Sequence, residues 1–176
     1  MPDDIDEPTR DDVAKDEMAV RALSIALALA VSDPGEKAAA RRMDRNGAPV
    51  FWRQVARLGI SPAHEAGWLR FTRMIALLTP ASATASVHDK DRPLGAVLAD
   101  AGFSEQRLAR LLAAQGETRL EALERAIRML ARSRPKIDVV SLARTVMGRD
   151  RNRLARDYYA RLDRTTTTTT GGVEHA

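Results

Sequence analysis

Cysteine is absent from the 176-residue chain. That excludes disulfides, thiolate chemistry and cysteine-ligated zinc or iron–sulfur centres, and it suits a reducing cytoplasm. Aromatic residues are scarce at three Phe, two Trp and two Tyr, which argues against a β-sandwich or barrel. No run of about 18 apolar residues occurs. The best stretch, residues 22–31, has no basic leader before it, so the chain reads as soluble, untargeted and free of the membrane. Neither G-x-G-x-x-G nor G-x-x-x-x-G-K-[ST] is found, so nucleotide hydrolysis is not expected. Histidine is limited to three positions. His64-Glu65 opens like a zinc-protease motif, but the second imidazole needed one turn on is replaced by Trp68. His88 falls in a stretch with little to bury and His175 in the tail, where partners for a metal site or a Ser-His-Asp nucleophile are lacking. The expectation is a non-enzyme with no catalytic residue, no metal and no cofactor.

What the chain does have is alanine (30), leucine (18) and arginine (24), together 72 of its 176 residues and all good helix formers. The net charge of +4 is unevenly spread. Residues 1–20 hold eight acids and two bases, net −6, while residues 21–176 hold 26 bases and 16 acids, net +10. Residues 107–164 alone hold 15 bases and seven acids, net +8, the footprint of a surface that meets phosphate. Arginine outnumbers lysine by 24 to four, and its planar fork matches phosphate oxygens. A GC-rich coding sequence also yields Ala and Arg, so composition alone does not decide, and positions must.

The pattern predicts an all-α protein of two small helical lobes. Residues 1–10 read as a disordered acidic arm, 11–79 as an N-terminal helical lobe and 80–93 as a linker loop. Residues 94–164 read as a C-terminal four-helix bundle, and the threonine-rich residues 165–176 as a disordered tail. In the first lobe, Val13, Val20, Leu23, Leu27, Ala30 and Val31 recur at helical spacing, and Ser32-Asp33-Pro34-Gly35 ends that helix and caps the next. Ser61-Pro62 opens a helix with Trp68, Phe71, Ile75 and Leu78 as its buried stripe. In the second lobe, Ser104 and Asp138 are N-caps, Gly102, Gly116 and Gly148 are breaks, and the inward stripes are Leu108/Leu111/Leu112, Leu120/Leu123/Ile127/Leu130 and Leu154/Tyr158/Leu162.

The arginines carry the functional reading. Glu121/Arg125 and Glu124/Arg128 have the order that stabilises an i, i+4 pair. Arg132, Arg134 and Lys136 have no acid within a turn before them and surround a helix end, where cations also meet a favourable dipole. Arg149, Arg153 and Arg156 form one stripe of the last helix, opposite Leu154, Tyr158 and Leu162. Arg41, Arg42 and Arg45 cluster, Arg53 and Arg57 are four apart, and Arg70 and Arg73 are three apart. Like charges so placed cost stability, which points to an anion for them, although any single pair is ordinarily a solvated face. With two Asn and three Gln in the chain, base reading from a major-groove helix is not expected. Trp68 and Phe71 read as core, and Tyr159 is the one aromatic placed outside. Salt-sensitive backbone contact without sequence preference is the expected mode.

The order of short motifs resembles a known family. Asp33-Pro34-Gly35 leads to Arg41-Arg42, then Phe51-Trp52-Arg53, Arg73-Met74, Leu94-Gly95-Ala96-Val97-Leu98, Ser104-Glu105-Gln106-Arg107, Asp138 with Leu142-Ala143-Arg144, and Ala155-Arg156-Asp157-Tyr158-Tyr159. Over residues 33–160 this is similar to the CasB family, the small subunit of the type I-E CRISPR Cascade complex. The resemblance implies a two-lobed helical protein without catalysis, paired head to tail with a second copy among the other Cascade subunits. It also implies a basic face that helps hold the displaced non-target DNA strand once guide RNA has paired with the target strand, stabilising the R-loop. Arg41, Arg42, Arg53, Arg73, Arg107, Arg128, Arg144 and Arg156 match basic positions of the family pattern. Val139 departs from it, standing where the family often has Trp. Two other readings stay open: a helical adaptor that docks acidic proteins and never meets nucleic acid, and a helical transcription regulator, for which no recognition helix is evident.

Overall fold

The structure, a computed structural model, describes residues 10–81, 84–149 and 151–170, and the side chains of all of these except 10–13, 16 and 166–170. Nearly all of the expected arm and the last residues of the tail lie outside that range. Nine helices occur among the described residues. Four precede the 80–93 segment: α1 (Arg10–Val31), α2 (Pro34–Arg42), α3 (Pro49–Leu58) and α4 (Pro62–Leu78). Five follow: α5 (Leu94–Asp100), α6 (Glu105–Ala113), α7 (Gly116–Leu130), α8 (Val139–Val146) and α9 (Arg151–Thr170). Among the described residues the only β feature is one isolated parallel bridge, His88 to Ile137. The protein is all-α.

Local chemistry sets the helix ends. The Asp33 carboxylate accepts the Glu36 N–H at 2.9 Å and the Asp138 carboxylate the Val140 N–H at 2.9 Å. The Ser104 hydroxyl accepts the Arg107 N–H at 3.4 Å. Each satisfies one of the donors a first turn leaves open. Prolines 34, 49 and 62 stand in first turns, where a missing N–H costs nothing. Helix α9 continues through the threonines, past the end expected near Leu162, and the Thr165 hydroxyl donates back to the Arg161 carbonyl at 2.9 Å.

One apolar cluster runs through both groups of helices. Helix α8 packs on α1 and α4 as well as on α5 and α9, and α4 also meets α7. The segment between α4 and α5 joins in, contrary to its reading as having little to bury. Val87 is buried, the Ile137 N–H donates to the Val87 carbonyl at 2.9 Å, and the Asp89 N–H donates to the Ile137 carbonyl at 2.8 Å. His88 is half-buried there, its Nδ1 accepting the Val139 N–H at 3.3 Å. Stripes read from the sequence on α4 face inward as expected. On α1 the inward face is a different one. Met18, Ala22, Ile25, Ala26 and Leu29 are buried, whereas Val20, Leu23, Leu27 and Val31 are exposed.

The Leu94–Leu98 motif acquires a reason from the closest helix crossing. At Gly95, α5 lies against the backbone of α9, where an added Cβ would fall 2.7 Å from the Tyr158 nitrogen and closer still to the Leu154 carbonyl. No neighbouring side chain can yield there, because the obstruction is backbone. The buried Tyr158 locks the same crossing, its hydroxyl donating to the Phe103 carbonyl.

A second tie is ionic. Glu124 on α7 is buried and accepts hydrogen bonds from Arg73 of α4 and, at 2.6 Å, from Arg128 of its own helix. Arg70 stands 3.9 Å from the same carboxylate and pairs with Glu117. The Arg70/Arg73 like-charge pair therefore has its anion inside the protein, on a helix about fifty residues away in sequence. Burial by itself pushes the Glu124 carboxyl up, but the hydrogen bonds and charges of Arg128 and Arg73 outweigh it and hold the group below the usual carboxylate range.

Two outcomes follow for stability. Gly95→Ala forces α5 off α9 and lowers unfolding free energy by about 3 kcal/mol in urea denaturation; a loss below about 0.5 kcal/mol would refute the crossing. Glu124→Gln costs about 1–2 kcal/mol at neutral pH, discounted because Arg128 is more than half exposed. Since the folded carboxyl titrates below its unfolded value of about 4.3, its stabilisation is complete above that pH and fades as pH falls through the folded value. Thermal scans from pH 6 to pH 3 should therefore show a shallower decline in the variant than in the wild type.

Candidate nucleic-acid interface

The arginines singled out from the sequence divide by what holds them. Arg41, on α2, reaches the end of α4, donating through Nε to the Ala76 carbonyl at 2.9 Å and through Nη2 to the Thr79 carbonyl at 2.6 Å. It closes a helix C-terminus, where carbonyls lack partners. Burial, then the charge of Arg134, lowers its pKa below the ordinary guanidinium value. Arg53 pairs with Glu36, and Arg73 and Arg128 with Glu124. Arg73 also donates to the Met43 carbonyl at 3.3 Å. These four are engaged within the protein, while Arg42, at the last position of α2, is exposed.

The second set lies around α6 and α7. An open groove of about 600 Å³ runs between these helices and is lined by the guanidinium-bearing side chains of Arg107, Arg110, Arg125 and Arg132. Its floor is apolar, built from Phe103, Leu111, Ala122, Ala126 and Met129, and no acidic residue lines it. The Arg107 guanidinium rests against the Met129 sulfur at 4.0 Å. Arg107, Arg110 and Arg132 are exposed and have no carboxylate in ion-pair range among the described residues. Arg125 stands 4.0 Å from Glu121 with both side chains well exposed, an arrangement worth little in water.

Arg107 and Arg132 are sequence candidates; Arg110 and Arg125 are not. In the sequence Arg125 pairs with Glu121, and Arg110 sits beside an inward stripe. The signal that finds them is the i, i+3 spacing of Arg107 with Arg110 and the i, i+7 spacing of Arg125 with Arg132. Beyond the groove, Arg134 and Lys136 are exposed in the turn after α7. Arg134 holds a left-handed φ of 47°, uncommon for a residue with a Cβ.

The third set surrounds the α8–α9 junction. Arg144 is half-buried on α8, and with Arg153 it lines a small crevice between α5, α8 and α9. Arg153 stands 3.9 Å from Asp157, and Arg156 is exposed. Arg149 does not belong to the α9 stripe. It lies before the helix, in the turn that ends α8, with its N–H donating to the Arg144 carbonyl at 2.8 Å while the Gly148 N–H donates to the Thr145 carbonyl at 3.2 Å. That is a Schellman end, which needs the positive φ of Gly148. Trp52 is a further exposed aromatic that the sequence reading missed; its indole N–H donates to the Asn46 carbonyl at 2.8 Å and its ring covers Gly47.

Among the described residues no group of three or more His, Asp or Glu could hold a metal ion, and no helix is long and apolar enough to cross a membrane. No curated protein matches the chain. A family model described as CRISPR-associated protein Cse2 matches residues 36–159, which takes in every helix from α3 to α8 and most of α2 and half of α9. That span is well over half of the chain and coincides with the stretch whose motifs resemble the CasB pattern. The chain therefore belongs to the Cse2 family and is a subunit of a CRISPR Cascade complex.

Proposed function

We propose that the chain is the non-catalytic small subunit of a type I-E Cascade, that its basic surface holds a nucleic-acid backbone without regard to sequence, and that this stabilises the R-loop by retaining the displaced strand. The observation that carries the reading is the α6–α7 groove, with four arginines on its walls and no carboxylate among its lining residues. Four guanidinium groups at one groove repel one another unless an anion enters, and their forked donors match phosphate oxygens. Arg134, Lys136, Arg144, Arg149, Arg153 and Arg156 extend the basic surface beyond the groove, and Arg42 contributes from the first lobe. Arg41, Arg53, Arg73 and Arg128 serve this surface by holding the helices that present it. The partners in this reading are other Cascade subunits, a second copy of the chain, the displaced strand and the guide RNA duplex.

Retention of a strand needs little energy. Guide pairing replaces one duplex by another of nearly equal stability, so a few backbone contacts tip the exchange. The groove supplies them with side chains that lack base-reading amides: its lining contains no Asn or Gln. The adaptor reading draws on a different observation, the exposed Val20, Leu23, Leu27 and Val31 of α1, which is an apolar surface suited to protein rather than phosphate. Both surfaces can act in one assembly, and the measurement below separates their contributions.

For a single-stranded oligothymidylate, four phosphate contacts give a slope of log affinity against log salt of about −2.8, so raising salt from 50 to 200 mM weakens binding about 50-fold. Replacing Arg107, Arg110 and Arg132 by Ala should remove about two units of that slope and weaken every oligonucleotide sequence alike. An unchanged slope with Cascade assembly intact would favour the adaptor. Arg134→Gly relieves the left-handed strain, so it should keep or raise the melting temperature while weakening strand binding two- to five-fold; loss of stability would show that Arg134 has a structural partner.

A further inference from the structure

Trp52, on α3, is 43 % exposed, whereas the other tryptophan of the chain, Trp68, is 2 % exposed in the core. An indole left in water forgoes the burial energy that a large aromatic ring normally contributes. The ring is nonetheless fixed in place. Its N–H donates to the Asn46 carbonyl at 2.8 Å, and Phe51 packs on it at a steep angle of 62° with ring centroids 5.0 Å apart. Gly47 lies so close that an added Cβ would fall 2.7 Å from the indole nitrogen. With its donor already used, the ring offers exposed π surface and nothing else.

What surrounds the ring is cationic rather than apolar. The other exposed residues of α3 are Pro49, Arg53, Ala56 and Arg57, none with a large apolar side chain. A tryptophan that anchors a protein interface normally sits among packed neighbours that exclude water. Arg45 immediately precedes the residue that holds the indole; it is exposed and has no carboxylate in ion-pair range among the described residues. Asp44, the acid of that turn, accepts the Asn46 N–H at 2.8 Å and the Asn46 side-chain amide at 3.2 Å. Aromatic surface beside guanidinium groups is the combination that holds unpaired bases, since every base has a π face whatever the sequence.

Arg45 also connects this place to the α6–α7 groove. It lines an open cavity of about 580 Å³ between α4 and α7, and Arg125 lines both that cavity and the groove. The glutamates of the cavity, Glu117, Glu121 and Glu124, each stand within ion-pair range of an arginine, which offsets their repulsion of a phosphate. We propose that Trp52 is a stacking platform for one unpaired base of a single strand, with Arg45 taking the phosphate beside it. This inference rests on the strand-holding reading: the strand leaves the groove at Arg125, crosses the cavity and reaches the first lobe. The ligand is single-stranded, because a base inside a duplex already has both faces covered by its neighbours. Stacking adds a contact that salt does not screen to a surface that otherwise works through charge.

The test follows the tryptophan fluorescence of the full chain during titration with an oligothymidylate and with an abasic oligonucleotide of equal length, which keeps the phosphates and lacks the bases. Binding itself is measured by the anisotropy of a labelled strand. A stacked base quenches an indole and Trp68 is buried, so oligothymidylate should quench the emission and the abasic strand should leave it unchanged. Trp52→Ala should weaken oligothymidylate binding about ten-fold without altering the salt slope, and Trp52→Phe should restore most of the affinity. Arg45→Ala should instead shrink the slope by about 0.7, one contact's worth. Oligothymidylate binding that leaves the emission unchanged, with Trp52→Ala binding as tightly as the wild type, would overturn the platform and leave the strand-holding reading standing. Equal quenching by the two strands would overturn it as well, since no base would be needed. Absence of any oligothymidylate binding by the wild type would remove both. A Trp52→Ala chain that binds the strand normally but fails to enter Cascade would overturn the platform in favour of a protein contact. Should Trp52→Ala fail to fold, the two wild-type titrations decide alone.

Discussion

A buried carboxylate organises much of this molecule. Glu124 brings Arg73 from α4 and Arg128 from α7 to one point, with Arg70 close by, in a chain whose positive charge exceeds its negative charge. Without it, three guanidinium groups at the α4–α7 contact would repel each other and drive those helices apart. With it, their charge is consumed by the fold, and the arginines left over on the other side of α7 face the groove. One helix therefore carries both kinds of arginine, since Arg128 is paired with Glu124 while Arg125 and Arg132 line the groove.

That separation explains which parts were readable from residue order. Caps were, because a side chain and the N–H it accepts lie within three residues of each other, as at Asp33, Ser104 and Asp138. Inward stripes on amphipathic helices were, because polar residues mark the outer face. Helix α1 defeats that logic: between residues 22 and 31 it is apolar on nearly every side, so periodicity finds two stripes and cannot rank them. The buried one is rich in alanine, at 22 and 26, which lets α1 approach α3, α4 and α8 closely, while the larger residues at 20, 23, 27 and 31 stay outside. Side-chain volume, rather than hydrophobicity, chose the face.

Long-range charge pairing was unreadable for a similar reason. Arg70 and Arg73 look like an unneutralised pair until α7 is laid beside α4, because their carboxylates lie at positions 117 and 124. Clusters of like charge in sequence thus overstate the surface available to an anion at α4, and only the packing of α4 against α7 reveals it.

In the proposed function, indifference to base sequence follows from how the groove arginines are held. Discrimination between bases requires donors fixed in direction, and fixed donors need supporting hydrogen bonds behind them. Arg41 and Arg73 have such support, from carbonyls and a carboxylate, and they are used up by it. Arg107 rests against a thioether, and Arg110 and Arg132 stand exposed with no acid in range among the described residues. Side chains with that freedom can follow a phosphate wherever the sugar pucker or the stack places it, but they cannot hold a bidentate angle to one base edge. Under the proposed function, the freedom that makes the surface adaptable to a phosphate backbone is the same that prevents it from reading bases.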